Sequence, residues 1–262
     1  MPRVDVQRSD RIRQVGVTLA EVFCVVGTLV GVGVLGTRVE ESAGGALAAD
    51  ATLIAPAGPA FSIWTPIYLG LAAYTVWQWL PGQATDARHR AVGWLVAASM
   101  VLNAGWLLVT QQGWLWASVL VILALAATLG LLVSRLQQHP SYGTAETVIV
   151  DGTFGLYLGW VAVATCANIT ATLAESGVDP GSPTVEILAV VVLAVAAGLG
   201  VLFARRLGGR WAVAFAMAWG LGWIAVGRVA DAPESLVVAA AAVVAAVVVL
   251  SAAAKAHARL SV

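Results

Sequence analysis

The stretch PAGPAFSIWTPIYLGLAAYTVWQWLP, residues 56–81, is apolar, is long enough to cross a lipid bilayer and carries aromatic residues at helical spacing. Trp64, Tyr68 and Leu71 recur at i, i+4 and i+7, so they share one side of a helix. Another side, which suits lipid, is formed by Leu69, Ala73 and Val76. The stretch therefore predicts a membrane helix with an aromatic side that faces a ligand.

The composition of the whole chain indicates an integral membrane protein. Of 262 residues, 60% are hydrophobic and 11% are charged, which is far from the balance of soluble domains. The 14 basic and 14 acidic residues cancel, so no net charge attracts nucleic acid. Cys24 and Cys166 lie in apolar segments without a CxxC motif or a histidine neighbour, and we interpret them as small core residues.

Eight apolar runs are long enough for membrane helices, since a bilayer core of about 30 Å needs about 20 residues. They cover residues 17–37, 56–81, 91–110, 114–136, 148–173, 185–204, 211–230 and 236–254. The sequence predicts an all-α protein with eight transmembrane helices. We divide it into a tail at residues 1–16, a five-helix bundle at 17–173 and a three-helix extension at 174–262.

Basic residues predict the orientation of these helices. All of them except Arg38 and Arg228 fall in the two termini or in alternate loops. By the positive-inside rule, both termini are cytoplasmic, and the protein is expected in the cell membrane. Glu21 then lies near the cytoplasmic end of the first helix, where we expect it to pair with Arg13 or to reach the interface.

Two further helices carry polar and aromatic residues that fall at a depth similar to that of Trp64. Asn103 and Trp106 are three apart on the third helix, and the amide predicts either an interhelical hydrogen bond or a ligand contact. The fifth helix carries one continuous stripe, formed by Tyr157, Trp160, Ala164 and Asn168. Because the three helices alternate in direction, these residues converge within the membrane.

The chemistry of this convergence favours binding over catalysis. An aromatic box with a few amides suits a flat, largely apolar molecule such as a tetrapyrrole or a sterol. Axial ligation of haem is not indicated, because all three histidines, His89, His139 and His257, fall in predicted cytoplasmic segments. The sequence has no HExxH or GxxxxGK[ST] motif and its one lysine is Lys255, so it predicts no catalytic residues, metal or cofactor and leaves an enzymatic role open.

Three stretches resemble one family of membrane proteins, the tryptophan-rich sensory proteins, also called translocator proteins or peripheral-type benzodiazepine receptors. On the second helix the resemblance is carried by Phe61, Trp64, Thr65, Tyr68, Tyr74 and Trp77. LNAGW, residues 102–106, is similar to the family's Leu-Asn-x-x-Trp signature. LYLGWVAVATCAN, residues 156–168, is similar to its fifth-helix pattern, with Leu156 at the position of the usual proline. The resemblance covers residues 17–173.

The resemblance implies a receptor, sensor or transporter that binds a planar hydrophobic ligand such as a porphyrin or a sterol. The ligand-binding residues that it implies are Phe61, Trp64, Tyr68, Asn103, Trp106, Tyr157, Trp160 and Asn168. Alternatives are a secondary transporter of another lipophilic solute and a porphyrin-modifying enzyme. Expected partners are the ligand, the bilayer and a second copy of the chain.

We predict that the pocket lies between helices two, three and five. The loop at residues 38–60 enters the second helix directly, and it is either a lid over the pocket or a mobile connector. On the seventh helix, Trp219 and Trp223 form an i, i+4 pair that predicts either packing or a second ligand wall.

Overall fold

A computed structural model describes residues 5–259 of the chain. The first four residues of the predicted tail and the last three of the predicted extension lie outside this part. The described residues form an all-helical structure, with 78% of residues in helices and no strand. The predicted all-α membrane fold is thus confirmed.

Eight long helices make up the bundle. They are α1 (Arg8–Gly31), α2 (Trp64–Trp77), α3 (Ala87–Gln111), α4 (Leu115–Gln138), α5 (Thr144–Glu175), α6 (Thr184–Arg206), α7 (Trp211–Ala230) and α8 (Leu236–Ala258). Seven of them are long and apolar enough to cross a membrane. The exception is α2, whose 14 residues follow directly on a six-residue 3-10 helix at Gly58–Ile63, and its crossing stays a prediction.

Small residues set how closely the helices of the first part approach. Gly27 and Gly31 of α1 face Ala104 and Leu107 of α3, and a Cβ at Gly27 would lie 2.8 Å from that of Ala104. A side chain at Gly27 would therefore push the helices apart. The GxxxG spacing in α1 serves close helix packing, as it does in other membrane proteins.

Helix α7 packs equally closely against α5. A Cβ at Gly155 would lie 2.7 Å from that of Ala212, and one at Gly159 would lie 2.8 Å from that of Ala216. One helix of the C-terminal part therefore lies directly on the wall that carries Trp160. The division into a five-helix bundle and a three-helix extension stays a prediction, but the two parts share this interface.

The first helix differs from its predicted bounds, because it begins at Arg8 and ends at Gly31. Its first turns are polar in sequence, but they are buried against the turn that joins α2 to α3. Arg13 donates to the Ala84 carbonyl at 2.8 Å, and Gln14 donates to the Gln78 carbonyl at 2.5 Å. These tertiary partners make a helix out of residues that the sequence alone assigns to a tail.

The prediction for Glu21 was wrong. Arg13 pairs with Asp10, at 3.5 Å, and not with Glu21. Glu21 is the fourteenth of the 24 residues of α1, it is buried, and its Oε2 has no hydrogen-bond partner among the described residues. The earlier start of α1 moves this carboxyl group from the end of the helix to its middle.

Ion pairs gather at one end of the bundle, which we call the arginine end. Its members are Asp10, Arg13, Arg88, Arg90, Glu146, Asp151 and Arg210. Arg88 lies 3.2 Å from Glu146 and 2.6 Å from Asp151, and Arg210 also pairs with Asp151. The opposite end, where residues 38–60 lie, is called the loop end.

His89, predicted to lie in the polar segment between the second and third helices, is instead part of a helix. Helix α3 begins at Ala87, so His89 belongs to its first turn and is fully buried at the arginine end. Its Nδ1 lies 3.4 Å from the Tyr74 hydroxyl. This contact holds α2 against α3, far along the bundle from the aromatic residues of the loop end.

Candidate functional site

The aromatic residues of α2 and α5 meet in one cluster toward the loop end. Trp64 stacks on Tyr68 with ring centroids 5.1 Å apart, and it meets Tyr157 and Trp160 edge to face at 5.8 and 6.2 Å. Phe61 adds a fourth contact, edge to face with Trp160 at 5.7 Å. These are the favourable geometries for aromatic pairs, so the cluster is well packed as it stands.

Asn168 joins three helices beside this cluster. Its Oδ1 accepts a hydrogen bond from the Trp106 indole at 2.7 Å, and its Nδ2 donates to the Ser118 hydroxyl at 2.9 Å. Trp106 lies on α3 and Ser118 on α4, so the amide links both to α5. Nothing in the sequence pattern singles out Ser118, because a serine in an aliphatic helix gives no sign of its partner.

Asn103 lies deeper and joins α3 to α1 and α2. Its Nδ2 is 3.1 Å from the Tyr68 hydroxyl and 3.5 Å from the Cys24 sulfur. Its Oδ1 is buried without a partner among the described residues. Of the two roles predicted for this amide, the structure shows the interhelical hydrogen bond, while the free Oδ1 keeps a ligand contact open.

A small cavity lies beneath the loop at the place predicted for the pocket. Its volume is about 50 Å³. From the helices it is lined by Phe61, Trp106, Trp160 and Asn168. From the loop it is covered by residues that include Ala46, Leu47, Thr52 and Pro56. The loop therefore covers this cavity, which is the position expected of a lid.

A second cavity, of about 370 Å³, shares Phe61 and Trp106 with the small cavity. Trp64, Tyr68 and Arg38 also line it. Six of the eight predicted ligand residues thus face one cavity or the other. The remaining two, Asn103 and Tyr157, line neither of them and are packed behind the cluster.

Trp160 has an unused donor. The side chain is 2% exposed and lines the small cavity, and its indole Nε1 has no hydrogen-bond partner among the described residues. The Tyr157 hydroxyl, by contrast, donates to the Ser99 carbonyl at 3.3 Å. A buried donor without an acceptor costs free energy, so this indole is the group that a bound acceptor would satisfy.

A larger cavity, of about 880 Å³, lies elsewhere. It is a wide opening at the arginine end, between α2, α5 and α7, and none of the eight predicted residues lines it. Leu69 and Ala73 of α2 form part of its wall, and they belong to the side of that helix predicted to face lipid. Asp151 and Arg210 of the ion-pair cluster also line it, so the opening combines an apolar wall with a charged one.

Three contacts from α7 hold the loop that covers the small cavity. The Trp219 indole donates to the Ala60 carbonyl at 2.9 Å, and the Trp223 carbonyl accepts from the Ala57 amide at 3.2 Å. Arg228 donates to the Ala49 carbonyl at 3.1 Å. This role is not predicted by the sequence, although the Trp219 and Trp223 pair and an arginine outside the predicted cytoplasmic side are its signals.

One group of potential metal ligands occurs in the described part of the chain. Single ligand atoms of Asp86, His89 and Glu146 lie within 4.8 Å of one another. Asp86, however, caps α3 by accepting from two backbone amides, and the Arg88 guanidinium lies 3.2 Å from Glu146. A helix cap and an ion pair account for these carboxylates.

The fold and the site define a class, that of multi-pass helical membrane proteins with an aromatic cavity under a loop. The chain belongs to the TSPO-like protein family, because a family model of that description matches residues 18–254. This match includes α6, α7 and α8, beyond the stretch that carries the sequence motifs. It supports a role as a membrane sensor, receptor or transporter. No curated protein matches the chain, and no solved structure does.

Proposed function

We propose that the protein binds a planar hydrophobic ligand, a tetrapyrrole or a sterol, at the loop end, and that it acts as a receptor, sensor or transporter of that ligand. One observation carries the proposal. Aromatic rings from two helices converge beneath a covering loop, beside a cavity whose wall contains the unpaired indole N–H of Trp160.

The chemistry of the cluster matches a flat ligand. Aromatic faces contribute a large apolar contact area. The rings of Trp64 and Phe61 contact neighbouring aromatic rings in this structure, and they can turn to contact a ligand ring instead. The free donor of Trp160, which lines the small cavity, would orient a polar group at the ligand edge. A molecule that is apolar on its faces and polar at its edge satisfies both demands.

The size of the small cavity requires a change on binding. Its volume of about 50 Å³ is below the roughly 300 to 1,000 Å³ of ligand pockets. A tetrapyrrole or a sterol needs a pocket in that larger range. It would therefore have to displace the loop, or Phe61 and Trp106, which line both the small cavity and the 370 Å³ cavity. The proposal therefore includes a movement of residues 38–60.

Titration with protoporphyrin tests the proposal. The protein in detergent or in lipid nanodiscs should bind the pigment saturably, measured by equilibrium dialysis and by porphyrin absorbance. Trp160→Ala and Phe61→Ala should each weaken binding by about tenfold, because each removes an aromatic side chain that lines the small cavity. Trp116→Ala is the matched control, since Trp116 is 57% exposed and lines neither cavity.

A binding curve that never saturates and has the same slope in all variants would show that the pigment partitions into detergent or lipid. This result would refute the site. A titration with cholesterol in place of protoporphyrin separates the two ligand classes. Uptake of the bound ligand into vesicles containing the protein then separates a transporter from a receptor or sensor.

A further inference from the structure

Helix α7 contacts both α5, which forms one side of the small cavity, and the loop that covers the cavity. It packs on the wall through Gly159 of α5, whose Cβ would lie 2.8 Å from that of Ala216. It also contacts the loop at three points spread from Ala49 to Ala60. The contact of α7 with α5 depends on close backbone packing, whereas its contacts with the loop are individual hydrogen bonds.

Arg228 makes the contact farthest from α2. Its side chain is fully buried, and its two terminal nitrogens donate to the carbonyls of Pro233 and Ala49 at 2.7 and 3.1 Å. One of these acceptors belongs to the loop before α8 and the other to the loop over the cavity. A single guanidinium thus ties two loops together at the end of α7.

The loop accepts or donates at every one of these points through its backbone. The carbonyls of Ala49 and Ala60 accept, and the Ala57 amide donates. The loop also lies directly on α7, because a Cβ at Gly227 would be 3.4 Å from the Ala57 nitrogen. The side chains that fasten the loop, Trp219 and Arg228, both come from α7.

We propose that Trp219 and Arg228 form a latch that holds residues 46–60 closed over the cavity and so sets the rate at which a ligand enters and leaves. The latch gives the C-terminal part of the chain a role in regulating the site. Its effect on ligand exchange rests on the function proposed above. Its effect on the loop does not, because the hydrogen bonds can be measured without a ligand.

Hydrogen–deuterium exchange of the full-length protein in nanodiscs tests the latch directly. Trp219→Phe keeps an aromatic ring but removes the indole N–H that binds Ala60. Amides of residues 46–60 should then exchange roughly twofold to tenfold faster, because this factor corresponds to the free energy that one neutral hydrogen bond contributes. Residues 155–171 of α5 should keep their protection, because the wall contact is unchanged.

Trp223→Phe is the matched control. It removes an indole N–H from the neighbouring turn of the same helix, but it keeps an aromatic ring for the edge-to-face contact with Trp219, whose centroid lies 5.6 Å away. Trp223 binds the loop through its backbone carbonyl, which the substitution also retains. Exchange in the loop should stay at the wild-type rate. Arg228→Gln should have a larger effect than Trp219→Phe, roughly tenfold to a hundredfold, because it removes charge-assisted contacts.

Release of protoporphyrin after rapid dilution measures the second part of the proposal. The release rate should rise in Trp219→Phe and Arg228→Gln by about the factor seen in loop exchange, and should stay unchanged in Trp223→Phe. Loop exchange at the wild-type rate in both latch variants would overturn the latch, whatever the ligand does. Faster loop exchange with an unchanged release rate would overturn the gating role.

The two proposals fail in distinguishable ways. If wild-type protein binds protoporphyrin and cholesterol without saturation, the ligand site is refuted, and loop exchange still decides whether the latch exists. If binding saturates but loop exchange in both latch variants matches wild type, the ligand site stands and the latch is refuted. Trp219→Phe keeps the test valid if Arg228→Gln does not fold.

Discussion

The two ends of the bundle hold their helices together with different chemistry. At the arginine end, ion pairs such as Arg88 with Glu146 and Asp151 join α3 to α5. At the loop end, aromatic rings, two amides and backbone carbonyls make the contacts, most of them between neutral groups. Breaking a buried ion pair leaves an uncompensated charge, whereas a neutral hydrogen bond can open at little cost. The difference indicates a fixed end and an end that can open.

The strongest test of the fixed end is Asp151→Asn. Asp151 pairs with both Arg88 and Arg210, so its neutralisation leaves two arginines without their shared partner. We expect a loss of about 3 to 5 kcal/mol in the free energy of unfolding. Thermal unfolding in detergent should show it, with Glu175→Gln, an exposed position, as the control. Wild-type stability in Asp151→Asn would show that the ion pairs do not distinguish the two ends.

Asn168→Ala should have the next largest effect, and it tests whether the loop end has a fixed member of its own. The substitution leaves the Trp106 indole without an acceptor and removes a partner of Ser118. A loss of about 2 kcal/mol in stability is expected, together with weaker protoporphyrin binding. Thr170→Ala is the control, since Thr170 bonds only to a carbonyl of its own helix. A wild-type melting temperature in Asn168→Ala would show that the hydrogen bonds of this amide do not stabilise the loop end.

Trp160→Phe separates ligand binding from stability at the loop end. The indole N–H has no acceptor among the described residues, so its loss removes no hydrogen bond, and the smaller ring should lower the free energy of unfolding by only about 1 kcal/mol through lost packing. Protoporphyrin affinity should fall about fivefold, because this factor corresponds to the free energy of one hydrogen bond to the ligand. Dialysis and thermal unfolding of the same preparation check both expectations. A larger loss of stability with unchanged affinity would reverse the role assigned to this residue.

The smallest effect is expected from Ser62→Ala, which tests what holds the loop. The exposed Ser62 hydroxyl donates to the Pro59 carbonyl at 2.8 Å, a contact within the loop's own last turn. Because such surface changes shift stability by about 0.5 kcal/mol or less, the melting temperature and loop exchange should match wild type. Faster exchange of residues 46–60 would mean that the loop holds itself closed and that α7 contributes less than proposed.

Much of the fold follows from the sequence because a membrane places strong demands on it. Runs of about 20 apolar residues are needed to cross the bilayer, so eight runs predict eight helices. Helical spacing also places Trp64, Tyr68 and Trp160 on defined sides of their helices, and alternating direction brings them to one depth. Those rules concern one helix at a time, and the structure brings the rings of these three residues into one cluster.

Tertiary structure alone decided which groups meet. The rotation and separation of the helices depend on contacts such as Gly27 against Ala104, so no pattern within one helix names the partner on another. The sequence presents Trp219 as one of a pair and Arg228 as an unplaced charge, and nothing in its pattern marks Ser118. Only their neighbours make them a partner of Asn168 and the attachments of the loop.

The start of α1 shows the same division. Polar residues 8–16 predict a tail as long as their partners are unknown, and they form a helix because Arg90, Ala84 and Gln78 accept or donate to them. Sequence determined the membrane class, the number of helices and the aromatic sides of α2 and α5. The folded bundle decided the buried position of Glu21, the small size of the cavity and the attachment of its roof to α7, because these depend on groups far apart in the chain.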